Sequence, residues 1–459
     1  MFFNLLPASF VAWAIAASTI AAMFVRPKRI AEAFWACLGA GLLLAFQLLS
    51  LSDALSAITK GYDVYFFLTG MMVLSELARR EGVFERLAVV AMRAASRSRL
   101  RLFTLVYALG VAVTTLLSND ATAIVLTPAI YALTRRAKGD PLPYLFACAL
   151  IANAASFVLP ISNPANLIMF GSNLPPLLPW LRTFLLPAGG AIFATYLTIR
   201  LVFRNSLRGT LPDIAEDPHL STAGKVTMLG IITTVGVLLF CSAIGKALGF
   251  PTLVSAVTIS LFSARWDRQV LLAVVRGVSW SVLPLVAGLF VIIESLNSAG
   301  GLRFALDPIE KLNQWPTLTA NILAALGFAV GSNLLNNLPV GLIGASALHA
   351  SYVSKQLASA MLIGIDLGPN LSVTGSLATI LWLIVLRREK LEVSAWSFFK
   401  VGTIAMPSAL LLAVLFLAPT SPQREHRSTA NVSATAQKEV LRNSSDPATG
   451  DHPCIRSIN

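Results

Sequence analysis

Charged residues are scarce in this sequence. Only 12% of its 459 residues are Asp, Glu, Lys or Arg, whereas soluble domains carry about 25%. A chain with so little charge cannot cover a water-exposed surface of this size, so ordinary soluble folds and disordered chains are excluded. Cysteine is also scarce, because Cys37, Cys148, Cys241 and Cys454 are widely separated and form no CxxC pair. A disulfide scaffold and a cysteine metal site are therefore excluded, and we predict no cofactor.

Long apolar runs take the place of the missing charge. Hydrophobic residues make up 56% of the chain, and several runs approach or exceed about 17 residues, roughly what a helix needs to cross a bilayer. We therefore predict an all-α polytopic membrane protein with about 10 transmembrane helices and 2 re-entrant hairpins. The predicted spans are 5–25, 34–51, 63–79, 142–178 (interrupted), 183–203, 225–245, 251–264, 278–298, 356–386 (interrupted) and 396–418.

Two further apolar stretches, 102–134 and 317–350, are broken in the middle by polar residues. Each can be interpreted as two spans or as a hairpin that enters the membrane and turns back. The net charge of +13 would suggest nucleic acid in a soluble protein, but here the basic residues lie in short loops. With the N-terminus outside and two hairpins, most of these residues fall in cytoplasmic loops, as the positive-inside rule requires.

The order of predicted elements repeats, which favours hairpins over extra spans. Each half has three spans, one broken hairpin, one interrupted span and one final span. An odd number of crossings per half implies inverted-topology repeats with broken helices, which are typical of transporters. We predict a first repeat at 1–203 (hairpin 102–134, broken helix 142–178), a cytoplasmic linker at 204–224, a second repeat at 225–418 (hairpin 317–350, broken helix 356–386) and a disordered polar tail at 419–459.

Four polar clusters interrupt the apolar runs, at 118–122, 161–166, 333–339 and 366–376. An unwound backbone at membrane depth survives only where protein packs around it or where it lines a watery cavity. Breaking a helix there also creates new N-termini, whose free N–H groups can hold the oxygens of a ligand. The predicted substrate-binding residues are Ser118, Asn119, Asp120, Thr122, Ser162, Asn163, Asn166, Asn333, Asn336, Asn337, Gly368, Pro369, Asn370, Thr374, Gly375 and Ser376.

Three segments that overlap these clusters carry a family resemblance. SNDATAIVLTPAIYAL, NNLPVGLIGA and IGIDLGPNLSVTGSLATILWLIVL resemble the arsenical pump membrane proteins, which are arsenite and antimonite efflux carriers of the ion transporter superfamily. The resemblance runs from about residue 63 to 418 and is strongest over 360–386.

The resemblance implies export of arsenite or antimonite across a bacterial inner membrane in exchange for protons. It also implies a possible soluble, arsenite-stimulated ATPase as a partner. In the superfamily the substrate lies at two hairpin tips and two broken helices, which correspond by position to 118–122, 333–338, 162–166 and 368–376. Dicarboxylate carriers tend to have Ser-Asn-Thr at the tips, whereas the first tip here has Asp120 in the third position.

The residues of the clusters suit a neutral substrate. Arsenous acid is a neutral triol near neutral pH, and no Lys or Arg occurs in any of the four clusters. Proton coupling requires an ionisable group within the membrane, and such groups are functional candidates because burying them is costly. The candidates are Asp120 first, Asp366 second and Glu294 third. The alternatives are N-capping for Asp120, a structural role for Asp366 and a position at the outer interface for Glu294.

Three other functions are alternatives to arsenite export. A sodium/proton antiporter could use Asp120 and Asp366 to hold the cation, and composition alone does not exclude it. An intramembrane enzyme has no support, because the sequence contains neither HExxH nor GxSxG. A passive channel would differ in showing no accumulation driven by a proton gradient.

Overall fold

A computed structural model shows how these segments are arranged. The structure describes residues 8–25, 30–212, 219–265, 268–300, 303–350 and 353–417. The tail predicted for 419–459 therefore lies outside the described residues, as does the middle of the predicted linker.

The first half of the chain consists of helices joined by short connections. They are α1 (Ala8–Val25), α2 (Glu32–Ala45), α3 (Leu51–Lys60), α4 (Tyr62–Arg80), α5 (Val83–Ala94), α6 (Arg99–Leu116), α7 (Asn119–Ala121), a π-helical segment (Thr122–Leu126) that continues into α8 (Thr127–Arg136), α9 (Leu142–Ala154), α10 (Pro164–Phe170) and α11 (Leu177–Val202).

The second half repeats this order. Its helices are α12 (Thr222–Ala243), α13 (Gly249–Ser263), α14 (Arg268–Gly277), α15 (Val282–Ser298), α16 (Arg303–Leu312), α17 (Thr317–Leu335), α18 (Asn337–Ala350), α19 (Lys355–Leu367), α20 (Leu377–Arg388) and α21 (Ala395–Leu415). Among the described residues there is no β-strand, so the predicted all-α class is confirmed.

The two halves match element by element, and they pack reciprocally. Helix α4 of the first half packs against α13 of the second, and their counterparts α15 and α2 pack against each other in the same way. The last helix of each half, α11 and α21, also pair. This reciprocity is what a duplicated bundle produces when its copies interlock. The exact domain boundaries stay a prediction.

Length and hydropathy identify six helical segments of the described chain as able to cross a bilayer. These are Arg99–Leu116, Leu177–Val202, Thr222–Ala243, Gln269–Ser298, Thr317–Leu335 and Ala395–Leu415. Shorter apolar helices, Ser9–Met23, Glu32–Ala45, Leu142–Ala154 and Gly249–Ser263, accompany them. With its broken helices and hairpins, this bundle is a multi-pass membrane protein.

Three short helices were not anticipated from the sequence. Helices α3, α14 and α16 have ten residues each, with apolar residues on one face only. They are too short to span a membrane, and the sequence predicted loops between spans at these positions. The apolar run 142–178 also behaves differently from a single interrupted span. Its second part ends at Phe170, because Gly171 adopts a φ of 50° and stops the helix.

The broken helices are held tightly against their neighbours. The indole N–H of Trp180 donates to the Phe157 carbonyl (3.1 Å), and that of Trp382 donates to the Leu145 carbonyl (3.1 Å). Both indoles are fully buried, where an unpaired N–H would be costly. They fix α11 to the loop after α9, and α20 to α9 itself.

Candidate functional site

The tip of the first hairpin is the turn between α6 and α7. Ser118 caps α7, and its Oγ accepts a hydrogen bond from the Ala121 N–H (3.2 Å). Asn119 Oδ1 accepts from the Asp120 N–H (2.9 Å). Ser118 and Asn119 are buried, whereas Asp120 is half-buried. Small polar side chains thus satisfy the donors that a helix start leaves unpaired.

The tip of the second hairpin is the turn between α17 and α18. Asn336 has a φ of 75° and a ψ of 153°, a backbone conformation that residues other than glycine rarely adopt, so the turn holds it under strain. Its Oδ1 accepts a hydrogen bond from the Leu338 N–H (3.4 Å). The Asn337 N–H donates to the carbonyl of Gly375 (3.0 Å), which ties this tip to the second break.

The first break separates α9 from α10 and is stabilised by amide side chains. Asn163 caps α10 by accepting from the Ala165 N–H (3.0 Å). Asn166 Nδ2 donates to the Ser156 carbonyl (2.9 Å) and lies near two further carbonyls of the break. Ser162 Oγ donates to a carbonyl of α6 (3.0 Å). These bonds satisfy the backbone that the break exposes.

The second break separates α19 from α20. Asn333 Nδ2 donates to the Gly368 carbonyl (2.7 Å), and Asn333 Oδ1 accepts from Ser372 Oγ (2.6 Å). Asn370 Nδ2 donates to a carbonyl of α9 (3.0 Å). Ser376 caps α20 by accepting from the Thr379 N–H (3.2 Å). The side-chain amide of Asn333, on the hairpin arm α17, therefore satisfies the Gly368 carbonyl, which has lost its α-helical partner at the break.

Both tips and both breaks border one small central cavity. Its wall consists mainly of residues at the starts of four helices. They are Asn119 and Asp120, Asn163 and Pro164, Asn337 and Leu338, and Leu377 and Ala378, with Leu68 of α4 and Val282 of α15 beside them. Asp120 is the one charged residue in this set, and the set contains no Lys or Arg. The cavity offers amides, a carboxyl group and helix N-termini to a ligand rich in oxygen.

Two larger cavities adjoin the central one. A cavity of about 520 Å³ shares Leu68, Asp120 and Pro164 with it and extends to Glu76 near the end of α4. Glu76 there receives hydrogen bonds from Arg79 (2.6 and 2.7 Å). The other adjoining cavity, of about 770 Å³, shares Leu338 with the central one and lies against α1 and α15. Asp120 consequently lies where the central cavity meets the 520 Å³ cavity.

The predicted site residues fall into two groups. Asn119, Asp120, Asn163 and Asn337 line the central cavity, Ser118 lines the 520 Å³ cavity, and Asn336 and Thr374 line the 770 Å³ cavity. The remaining residues support the tips and breaks behind these walls: Thr122, Ser162, Asn166, Asn333, Gly368, Pro369, Asn370, Gly375 and Ser376.

The other two carboxylate candidates lie away from the cavity wall. Asp366 is fully buried behind the first break, where Ser156 Oγ and Asn163 Nδ2 approach its oxygens at 2.7 and 2.8 Å. Glu294 forms an ion pair with Lys60 (3.3 Å) at a partly exposed position. A coupling role for either residue stays a prediction.

Asn153 and Ser156 were missed in the sequence. Asn153 Nδ2 donates to Asn370 Oδ1 (2.9 Å), and its Oδ1 accepts from Ser376 Oγ (3.3 Å). Asn153 is the only amide within the apolar helix α9, and that isolation could have identified it. Ser156 lies in the break itself, outside the polar cluster that we recognised.

Broken helices whose starts converge on a cavity lined by amide and carboxyl groups among apolar residues, inside a bundle of apolar helices, define a secondary-transporter architecture. The chain belongs to the citrate transporter family, whose model matches residues 13–366. The protein is therefore a membrane transporter of the ion transporter superfamily.

The relatives confirm the resemblance that the motifs carry. The chain is 27% identical to the arsenical pump membrane protein of Escherichia coli strain K12 over 431 residues, 89% of this chain and 98% of the relative. It is 28% identical to that of Yersinia enterocolitica over 367 residues, 76% of this chain and 84% of the relative. The crystal structure of the YdaH transporter of Alcanivorax borkumensis superposes with a TM-score of 0.51 at 15% identity, covering 79% of this chain and 86% of that one. The likeness to YdaH concerns the fold alone.

Proposed function

We propose that this transporter exports arsenite or antimonite, as the neutral trihydroxide, across a bacterial inner membrane in exchange for protons. The observation that carries the proposal is the central cavity, whose polar wall consists of Asn119, Asp120, Asn163 and Asn337. Amide groups both donate and accept hydrogen bonds, as a triol does. The arsenical pump relatives support the choice of substrate.

The charge of the cavity argues against citrate, the substrate for which the family is named. A tricarboxylate needs cationic partners, and bidentate Arg is the usual one. The cavity wall has no Lys or Arg, and Asp120 would repel an anion. A neutral triol meets no such repulsion. Sodium/proton exchange remains the second candidate function, because carboxylate and amide oxygens also bind cations.

Proton coupling is assigned in this proposal to Asp120. Asp120 lines both the central cavity and the 520 Å³ cavity. A proton can therefore reach its carboxyl group while the substrate site is open to one side. Exchange requires the proton and As(OH)₃ to occupy the site alternately. An ionised Asp120 would accept hydrogen bonds from the hydroxyl groups of As(OH)₃, and protonation of Asp120 would weaken these bonds and release the substrate. An ionised Asp120 would be stabilised by its position in the first turn of α7.

The orientation and the partner belong to the same proposal. We place the N-terminus and the tail outside, because this arrangement collects most basic residues in cytoplasmic loops. A soluble ATPase subunit is proposed as an optional partner on the cytoplasmic side.

Transport in everted membrane vesicles tests the proposed substrate. Vesicles with an acid interior are given arsenite, antimonite, Na⁺ and citrate in separate assays, and accumulation is compared with vesicles that lack the protein. We expect accumulation of arsenite and antimonite that collapses when the proton gradient is dissipated. Na⁺ accumulation without metalloid accumulation would replace the proposal by sodium/proton exchange, and citrate accumulation would refute the argument from charge.

The variant Asp120→Asn tests the proposed coupling. It keeps the size of the side chain but removes the titrating group, so we expect proton-driven arsenite accumulation to be lost while exchange of internal for external arsenite continues. Asn119→Ala is the matched control, because it weakens the neighbouring wall and leaves the carboxyl group in place. Normal pH-driven accumulation by Asp120→Asn would exclude Asp120 from coupling.

A further inference from the structure

The two broken helices are cross-connected between the halves. Helices α9 and α19 have 13 residues each, and their penultimate residues are Asn153 and Asp366. Asp366 Oδ1 accepts a hydrogen bond from Asn163 Nδ2 (2.8 Å), and Asn153 Oδ1 accepts one from Ser376 Oγ (3.3 Å). Asn163 and Ser376 are the N-caps of α10 and α20. The end of the helix before each break therefore holds the start of the helix that follows the break in the other half.

The two equivalent positions differ in chemistry, because Asn153 has an amide and Asp366 has a carboxyl group that can be charged or protonated. The contacts of Asp366 indicate which form is present. Ser156 Oγ lies 2.7 Å from the Asn153 carbonyl and also 2.7 Å from Asp366 Oδ2. A serine hydroxyl has a single proton, and a backbone carbonyl can only accept. Both short contacts are hydrogen bonds if Asp366 carries a proton, donates it to Ser156 Oγ, and the Ser156 hydroxyl donates to Asn153.

The surroundings of Asp366 also favour the protonated form. Its side chain is 0% exposed, and a buried carboxylate without a cationic partner is strongly disfavoured. Helices α10 and α17, which pack against α19, carry no titratable residue. The titratable residues on the other helices packed there make other contacts or are exposed. They are Tyr144, which donates to the Arg99 carbonyl, Cys148 on α9, His349 at the exposed end of α18, and Lys400 over the ring of Trp396.

We propose that Asp366 is a positioning residue that works in its protonated form. Its carbonyl oxygen fixes the amide of Asn163 on the wall of the central cavity, just as Asn153 fixes Ser376 in the other half. The Asn163 side chain is held from both ends, because its Oδ1 accepts from the Ala165 N–H (3.0 Å) while its Nδ2 donates to Asp366. Only the claim that this wall contacts substrate rests on the proposed function.

Infrared spectroscopy of the purified protein tests the protonation state without any transport. The difference between wild type and Asp366→Asn at neutral pH is expected to show a carboxylic-acid C=O stretch that belongs to the wild type. A carboxylate band in its place would overturn the proposal. This measurement is valid whatever the substrate is, so its failure is distinct from a failure of the proposed function.

Transport by matched variants tests the positioning role. An amide in Asp366→Asn can donate to Ser156 and accept from Asn163, so we expect arsenite uptake within about twofold of wild type with an unchanged pH profile. Asp366→Ala leaves the Asn163 amide without its acceptor, and we expect KM to rise about tenfold, with a smaller effect on the maximal rate.

Three outcomes of these variants would contradict the positioning role or call for a second measurement. If folded Asp366→Asn loses proton-driven uptake, Asp366 is a proton carrier and the proposal is wrong. If Asp366→Ala does not fold, Asp366→Asn and the infrared band decide the matter, and Asn163→Ala supplies the KM measurement. An unchanged KM in Asn163→Ala would show that the positioned amide does not contact substrate.

Discussion

Replacing Gly368 by alanine tests the geometry that places the second hairpin tip at the cavity. Gly368 follows α19 and lies directly against α17, so a Cβ at this position would be 2.6 Å from both Cα and O of Ala329. Carbon atoms in contact are about 3.5 Å apart, so α17 must retreat by roughly 0.9 Å. Backbone forms the obstacle, and no side-chain rotation can relieve it.

The retreat has a calculable effect on the neighbouring hydrogen bond. Asn333 Nδ2 is 2.7 Å from the Gly368 carbonyl, and the same displacement would bring this distance to roughly 3.6 Å, where the bond is lost. Overpacking of this kind costs about 1–3 kcal/mol. Because α17 leads into the tip that carries Asn337, we expect Gly368→Ala to lower the unfolding temperature and to reduce arsenite uptake about tenfold.

The same helix provides the control. A Cβ on Gly327 of α17 would have no neighbouring atom within 4 Å, so Gly327→Ala should be neutral or stabilise the helix by up to about 1 kcal/mol. Thermal unfolding in detergent and vesicle uptake are measured for both variants. Wild-type stability and uptake in Gly368→Ala would refute the reasoning, because the close approach would then not determine the position of the tip.

Two further variants test residues near and far from the cavity. In Asn333→Ala the freed Gly368 carbonyl and the Ser372 hydroxyl lose their partner, so we expect a loss of about 1–3 kcal/mol in unfolding free energy and weaker uptake; unchanged thermal unfolding would contradict this. In Glu294→Gln only a partly exposed pair with Lys60 is lost, worth less than about 1 kcal/mol, and proton-driven uptake should be unaffected. Loss of that uptake would return Glu294 to the list of proton carriers.

Much of the architecture was predictable because it is encoded locally. A polar cluster with Pro or Gly inside an apolar run marks a helix break wherever it occurs, and the structure breaks helices at Ser118, Asn163, Asn336 and Ser376. The pairing of the four clusters also followed from their order along the chain. The symmetry of the two halves also predicted that the clusters lie close together: three of them line the central cavity, and the fourth, 366–376, lies directly before Leu377 and Ala378 of its wall.

The sequence did not predict which polar residues face the cavity and which satisfy backbone groups behind it. Asn166 and Asn119 look alike in the sequence, yet Asn166 satisfies carbonyls within the break while Asn119 faces the cavity. The contact between Asp366 and Ser156 joins residues 210 positions apart, and no local pattern records such a pairing. Side-chain roles depend on which backbone groups the breaks leave unpaired, and only the folded arrangement reveals that.

The cross-connection of α9 and α19 has a consequence for how such a protein can evolve. A pair of identical subunits would present the same residue at both equivalent positions, either two amides or two acids. A single chain is free of that constraint, and here the two equivalent positions hold different residues, Asn153 and Asp366. The single chain can thus hold an acid at the end of α19 and an amide at the end of α9, an asymmetry that two identical subunits could not have.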